Sequence, residues 1–172
     1  MPSVLKPQFK QLADECRADP SRAAGEMRAV CDSAPRDPLR WTVSGLPGSQ
    51  TEMAIGQHPS LGGDGSAPCP GELVTMALAA CMDGTIRMLA DLLEIELDRL
   101  RVEVVNRGDV RDILRAQDVR PPDDVGFRMT MEIEAPGAPP EAVEKLKKAA
   151  VASSAVLNML RGGTPVDVTC MR

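Results

Sequence analysis

Cys81 lies in the most apolar stretch of the chain, the ten uncharged residues LVTMALAACM at positions 73–82. A thiol in this setting has two interpretations. It is a small core residue, since free cysteine is among the most buried residue types, or it is the reactive group of an apolar pocket. Apolar surroundings alone raise the pKa of a thiol and leave it inert, so reactivity requires a nearby cation or a set of hydrogen-bond donors. These residues by themselves favour the core interpretation.

A second thiol, Cys69, precedes Pro70 at the predicted N-terminus of the same helix. The first turn of a helix carries unpaired N–H groups and a partial positive charge, which stabilise a thiolate. The alternative is an exposed loop cysteine without a special role. Cys69 and Cys81 are twelve residues apart. That spacing is roughly 18 Å along a helix axis, which is too far for a disulfide between them.

Three further polar side chains are candidates for chemistry. His58, the single histidine, precedes a proline in a Gly/Pro-rich segment and has the setting of a surface loop residue. Ser153 and Ser154 lie on the apolar stripe of the last predicted helix. Each serine could bond a carbonyl one turn back, or one of them could face the central helix and donate to the Cys81 sulfur. No motif of a serine hydrolase accompanies these residues.

Hydrophobic periodicity predicts the elements that must position these groups. Helices are expected at residues 8–17, 71–94 and 140–161. Strands are expected at residues 26–31, 39–43, 51–57, 100–104, 127–134 and 165–170. The first half of the central helix is apolar all round, which predicts burial on every side. Residues 109–124 are ambiguous, either a short helix or a long excursion. The order of elements predicts an α+β domain in which two helices pack on an antiparallel sheet.

Composition excludes several classes of function. A net charge of −5 and an aromatic content of 2% argue against nucleic-acid binding. The first residues show no signal-peptide pattern, and the longest uncharged run is shorter than a bilayer span. We therefore expect a cytoplasmic protein without a membrane partner. Five widely spaced cysteines without a C-x-x-C pair predict free thiols, and a lone histidine predicts no metal site.

Two segments resemble the OsmC/Ohr family, the osmotically induced and organic-hydroperoxide-resistance proteins. The segment LGGDGSAPCPGELVTMALAACMDGTIRMLADLLEI, residues 61–95, is similar to the central helix of the family and closest to its OsmC-like branch. The segment KKAAVASSAVLNMLRGGTPVDV, residues 147–168, resembles its second helix. The resemblance covers an expected OsmC-like domain at residues 24–172 and leaves residues 1–23 as an N-terminal helical extension.

The resemblance implies a fold and a chemistry. The fold is an intertwined homodimer in which antiparallel sheets wrap around two central helices, with active sites at the subunit interface. The chemistry is reduction of small apolar peroxides by a thiolate, which corresponds to Cys81 and becomes a sulfenic acid. In the family a second cysteine then forms a disulfide, and an external thiol or dithiol such as lipoamide restores the enzyme. No cofactor beyond that reductant is implied.

The sequence departs from the family pattern at three places. The family's Cys-Pro-Val motif is replaced by Ser-Ala-Val, so Ser154 stands at the position of the resolving cysteine. A serine cannot form that disulfide. The family's activating glutamate corresponds to Gly71, and Glu72 lies one residue further on, about 100° around the helix. The stretch that supplies the activating arginine contains only His58, so His58, or Arg28 or Arg40 from neighbouring strands, is the candidate thiolate partner.

Two main functions therefore stay open from the sequence, beside a third in which the protein is a purely structural or partner-binding dimer. The first is thiol-dependent reduction of organic hydroperoxides by Cys81, as part of an oxidative-stress response. The second is a non-peroxidase dimer of the same fold, which binds a small hydrophobic ligand in the interfacial pocket with Cys81 as part of the lining.

Overall fold

The computed structural model describes residues 2–31, 37–45 and 52–170. The helices are α1 (Lys6–Ala18), α2 (Pro70–Leu92), α3 (Arg111–Leu114), α4 (Pro140–Ser153) and α5 (Ala155–Gly162). The strands are β1 (Arg40–Ser44), β2 (Glu52–Gly56), β3 (Arg99–Arg107) and β4 (Gly126–Glu134). Short 3₁₀ turns cover Pro20–Ala23 and Pro59–Leu61. This mixture of helices and antiparallel strands confirms the predicted α+β class.

The chain divides into two compact units. The first unit contains Met1–Lys10, Ala77–Val104 and Met129–Arg172. The second unit contains Gln11–Met76 and Val105–Arg128. The expected boundary between residues 1–23 and an OsmC-like domain at 24–172 stays a prediction.

The strands form two antiparallel pairs. β1 pairs with β2 so that Trp41 faces Ile55, and Thr51, predicted to begin this second strand, lies outside the described residues. β3 pairs with β4, and the cross-strand ion pairs Arg99–Glu134 and Arg101–Glu132 lie on the face that the alternating pattern leaves exposed. The other face of β3 and β4 turns towards the core.

Two predicted strands are not formed by this chain. Residues 26–31 contribute one isolated bridge, between Val30 and Ser44. Residues 165–170 make no strand, and the side chains of Val166 and Val168 are 82% and 80% exposed. Alternating apolar residues favour an extended backbone, but a strand also needs a hydrogen-bonded neighbour. The described part of the chain offers the last segment no such neighbour.

The prediction of one helix over residues 140–161 is wrong in one respect, because these residues form two helices. The backbone of Ser154 has φ −66° and ψ 113°, which is extended rather than helical. α4 therefore ends at Ser153, and α5 begins at Ala155. The ambiguous segment at 109–124 contains the single turn of α3.

The core of the first unit lies between α2 and α4. Its fully buried members are Met82, Ile86 and Ala90 of α2 with Leu146 and Ala150 of α4. Partly buried aliphatic side chains of β3 and β4 pack against them. Burying a methionine, isoleucine or leucine side chain, as at Met82, Ile86 and Leu146, stabilises a fold by about 1.5–3 kcal/mol each. This contact fixes α4 on the second half of α2.

The first half of α2 does not show the burial predicted for it. Val74 and Met76 are 40% and 49% exposed, whereas Leu78 is buried. By length and composition alone, α2 also satisfies the criteria for a membrane-crossing helix, with a hydropathy of 1.4 over its most apolar window. The core helix of a soluble protein satisfies the same criteria. The second half of α2 makes core contacts of the sort that such a helix makes.

The segment before α1 is attached to the carboxyl end of α2 within the first unit. The carboxylate of Asp91 accepts hydrogen bonds from the Ser3 hydroxyl and from backbone N–H groups, that of Leu5 at 2.9 Å. These donors, the Ser3 hydroxyl first, hold the pKa of Asp91 below its usual range. Lys6 forms an ion pair with Glu94 at 3.0 Å.

Candidate thiol site

The thiol of Cys81, in the part of α2 that belongs to the first unit, contacts the start of α5 in the same unit. Its Sγ accepts a hydrogen bond from the hydroxyl of Ser154, at an Oγ–Sγ distance of 3.5 Å. It accepts a second from the backbone N–H of Val156, also at 3.5 Å. Cys81 is partly buried, and Ser154 is fully buried with 0% of its surface exposed. Of the alternatives for Ser154, the structure shows the one in which it donates to the Cys81 sulfur.

The break at Ser154 creates these donors. The N–H of Ser154 still bonds Ala150, which closes α4, and the N–H of Asn158 bonds the Ser154 carbonyl, which opens α5. The first N–H groups of a helix have no acceptor within that helix. In a continuous helix these groups would bond carbonyls of the preceding turn. The extended residue instead leaves the N–H groups of Ala155 and Val156 without a helical acceptor, and that of Val156 bonds the sulfur at 3.5 Å.

These donors lower the pKa of the Cys81 thiol, against the effect of burial. Burial by itself raises the pKa of the Cys81 thiol, because it disfavours the thiolate. Hydrogen bonds from the Ser154 hydroxyl and from the N–H groups of Val156 and Ala155 outweigh that effect, so the pKa lies below its ordinary value. Thr85 adds little, since its one proton is donated to the Cys81 carbonyl at 2.7 Å.

Of the two requirements for a reactive thiol, a cation or a set of hydrogen-bond donors, the described residues show the second, and the groups bonded to Sγ are neutral. A hydroxyl and backbone N–H groups donate to it. The partial positive charge at the N-terminus of α5 acts in the same direction. Sequence reasoning did not identify the N–H groups of Ala155 and Val156. The available signal was Ser154 itself, because serine is a preferred residue at helix N-termini.

His58, Glu72 and Cys69 form a different group, in the second unit. The Glu72 carboxylate accepts the backbone N–H of Cys69 at 2.8 Å, a capping arrangement at the N-terminus of α2. The N–H of Cys69, then its thiol, and more weakly the charge of His58 lower the pKa of Glu72. The Nδ1 of His58 accepts the backbone N–H of Ser60 at 3.1 Å.

This second group lines a cavity of about 480 Å³. Gly71, the residue at the family's glutamate position, lines it as well. Cys69 is buried, with 7% of its surface exposed, so it is not the exposed loop cysteine of the alternative interpretation. The roles predicted for His58 and Glu72 at the reactive thiol stay predictions.

The two candidate arginines also lie in the second unit. Arg40 forms an ion pair with Asp64. The pKa of Asp64 is lowered to about 2, first by the hydroxyl and N–H of Ser66 and then by Arg40. Arg28 is exposed. Across residues 2–31, 37–45 and 52–170, no cluster of three or more His, Cys, Asp or Glu side chains has an arrangement that could bind a metal ion.

Comparison with known proteins identifies the family. The profile of the family described as OsmC-like protein matches residues 63–169, which is well over half of the chain. The chain therefore belongs to the OsmC-like protein family. A comparison with curated proteins gave no match.

Solved structures share the fold. An organic hydroperoxide resistance protein OsmC from Legionella pneumophila is 19% identical over 80% of this chain and 90% of its own, with a TM-score of 0.55. An OsmC-like protein from Mycoplasma pneumoniae is 15% identical over 80% and 89%, with a TM-score of 0.59.

A third structure, from Vibrio cholerae, is described as an organic hydroperoxide resistance protein with captopril bound in one active site. It is 20% identical over 80% of this chain and 85% of its own, with a TM-score of 0.52. At these identities the likeness establishes the fold.

We predict that removing the Ser154 hydroxyl raises the pKa of the Cys81 thiol. The hydroxyl donates to the sulfur, so its loss disfavours the thiolate. The test uses a background in which the other four cysteines are changed to serine. The pH midpoint of the Cys81 alkylation rate should be higher in Ser154→Ala than in the parent. Ser153→Ala, which changes the exposed neighbouring serine, is the matched control. Superimposable pH profiles for the two variants would contradict the assignment.

Proposed function

We propose that this protein is a redox stress protein that reduces organic hydroperoxides with the Cys81 thiol. The observation that carries the proposal is the set of donors on Cys81 Sγ, from Ser154 and Val156 at 3.5 Å each. A thiolate is the nucleophilic form of cysteine, and these donors favour it. Family membership supports the same chemistry, because related structures are described as organic hydroperoxide resistance proteins.

The first step oxidises the sulfur. The Cys81 thiolate attacks the terminal oxygen of the hydroperoxide, the one that bears hydrogen, and the O–O bond breaks. The alkoxide takes a proton and leaves as an alcohol, while Cys81 becomes a sulfenic acid. The donors from the start of α5 compensate for the burial that would otherwise keep the thiol protonated.

The second step needs a thiol from outside the chain. Ser154 occupies the place from which a second cysteine would act, and its oxygen cannot form a disulfide. An external thiol therefore displaces water from the sulfenic acid and forms a mixed disulfide with Cys81. A second thiol group then attacks that disulfide and releases the Cys81 thiol, so two electrons pass from the reductant to the peroxide. The cytoplasmic location stays a prediction that agrees with a supply of thiols.

We predict that Cys81→Ser abolishes consumption of cumene hydroperoxide measured with a small thiol as reductant. A serine hydroxyl is not ionised at neutral pH, and its oxygen does not attack the O–O bond of a hydroperoxide. Cys170→Ser, which changes an exposed cysteine, is the control and should leave turnover near the wild-type rate. If the wild type itself consumes no peroxide, the proposal fails. Binding of a small hydrophobic ligand by a non-peroxidase dimer is then the better-supported function.

We predict that Ser154→Cys gives the protein an internal disulfide. The Oγ of Ser154 lies 3.5 Å from Cys81 Sγ, so a sulfur at this position is within reach after a small rotation. One equivalent of cumene hydroperoxide should lower the protein mass by two hydrogen atoms and remove two titratable thiols. Ser153→Cys places the added thiol on an exposed position and should not pair. Failure of Ser154→Cys to lose two thiols would contradict the geometry of the site.

We also propose that the protein is a homodimer. Its support is the apolar surface that one chain leaves exposed, above all Met27, Met76, Val166 and Val168. Residues 165–170 have the alternation of a strand but no partner in the described chain. A segment that alternates in this way and has unpaired backbone groups is a place where a second chain can add a strand. Light scattering at micromolar concentration should give twice the chain mass of 18.4 kDa; a mass of one chain would overturn the proposal.

A further inference from the structure

The donors at the first turn of α5 suit the oxygen of an oxidised cysteine as well as a thiolate. Oxidation adds an oxygen to Cys81 Sγ, and the product loses a proton to become a sulfenate anion. The added oxygen is bonded to a sulfur that already accepts hydrogen bonds from the Ser154 hydroxyl and the N–H of Val156, at 3.5 Å each. Backbone N–H groups at a helix N-terminus bind anionic oxygen well, because the helix leaves them unpaired and the dipole favours negative charge.

Two features make this turn a built site. Ser154 is fully buried, and its hydroxyl points at the sulfur rather than at water. The eight-residue α5 has its first bonded N–H at Asn158, so the N–H groups before it are free of helical partners. Ala155 contributes because it keeps a backbone N–H at the first helical position, where a proline would have none.

We propose that the first turn of α5 binds the sulfenate of Cys81 and makes it a long-lived, reversible state of the protein. This inference rests on the proposed function, since a hydroperoxide supplies the oxygen. A sulfenate is itself a nucleophile, and it becomes a sulfinic acid by attacking a second hydroperoxide molecule. Hydrogen bonds to its oxygen lower that nucleophilicity. The described first unit places no cysteine against Sγ to consume the sulfenate, so slow over-oxidation is what preserves it for an external thiol.

The test is the ratio of the two oxidation products in a variant whose only cysteine is Cys81. Increasing amounts of cumene hydroperoxide are added, and intact mass reports gain of one oxygen atom or of two, with dimedone capture identifying the sulfenic acid. We expect the species with one oxygen to dominate over many equivalents. Ala155→Pro removes one N–H at the helical position that accepts proline without strain. Over-oxidation relative to the first oxidation should rise roughly tenfold, the effect of one hydrogen bond to a charged group.

Ser153→Ala, which changes the exposed serine beside the site, should retain the parent's ratio of products. Ser154→Ala is the second variant should the proline disturb folding. The inference is overturned if the parent passes directly to two added oxygen atoms, or if Ala155→Pro and Ser154→Ala leave the ratio unchanged. A mass two hydrogen atoms below the reduced protein also overturns it, because the sulfur would then have condensed with a backbone nitrogen. Complete absence of oxidation contradicts the proposed function instead, so the two failures are distinguishable.

Discussion

The break in the backbone at Ser154 is the constraint on which the site depends. One extended residue separates α4 from α5 and leaves the N–H groups of the next turn without helical acceptors. The Cys81 sulfur supplies an acceptor for one of them, the N–H of Val156. The thiol and the break therefore satisfy each other: the sulfur completes a helix terminus, and the terminus supplies the donors that favour a thiolate.

The core makes this arrangement reproducible. Leu146 and Ala150 of α4 pack against Ile86 and Ala90 of α2, so the two helices are fixed at short range on either side of the site. Cys81 lies one residue before the buried Met82, and Ser154 lies one turn after the buried Ala150. A small change in the packing of α2 against α4 would separate the Cys81 sulfur from both of its donors at once. The precision of the 3.5 Å contacts is thus a property of the aliphatic core and not of the polar residues alone.

Activation by neutral donors differs in kind from activation by charge. An exposed arginine near a thiolate is screened by salt, whereas hydroxyl and N–H dipoles fixed by the backbone act over short range and are screened little. They also carry no charge that must itself be desolvated when the site is closed. A site of this type can therefore stabilise an anion without the arginine and glutamate that its family pattern contains.

Sequence reasoning reached the parts of the molecule that periodicity encodes. The expected helix at 71–94 corresponds to α2, and the expected strands at 100–104 and 127–134 correspond to β3 and β4, because their apolar repeats match one face of each element. The break at Ser154 escaped it, since apolar residues continue on the same helical stripe through Leu157 and a stripe does not show where ψ changes. The unpaired segment at 165–170 escaped it too, because alternation predicts an extended backbone but not the neighbour that a strand requires.

The short segment before α1 has a role that its position in the sequence conceals. Asp91 and Glu94 place two carboxylates at the end of α2 where the helix dipole is already negative. The hydroxyl and N–H groups of residues 3–5 and the ammonium of Lys6 meet those carboxylates. The segment and Lys6, the first residue of α1, thus stabilise the negative carboxyl end of α2. The groups that meet there lie more than eighty positions apart in the sequence.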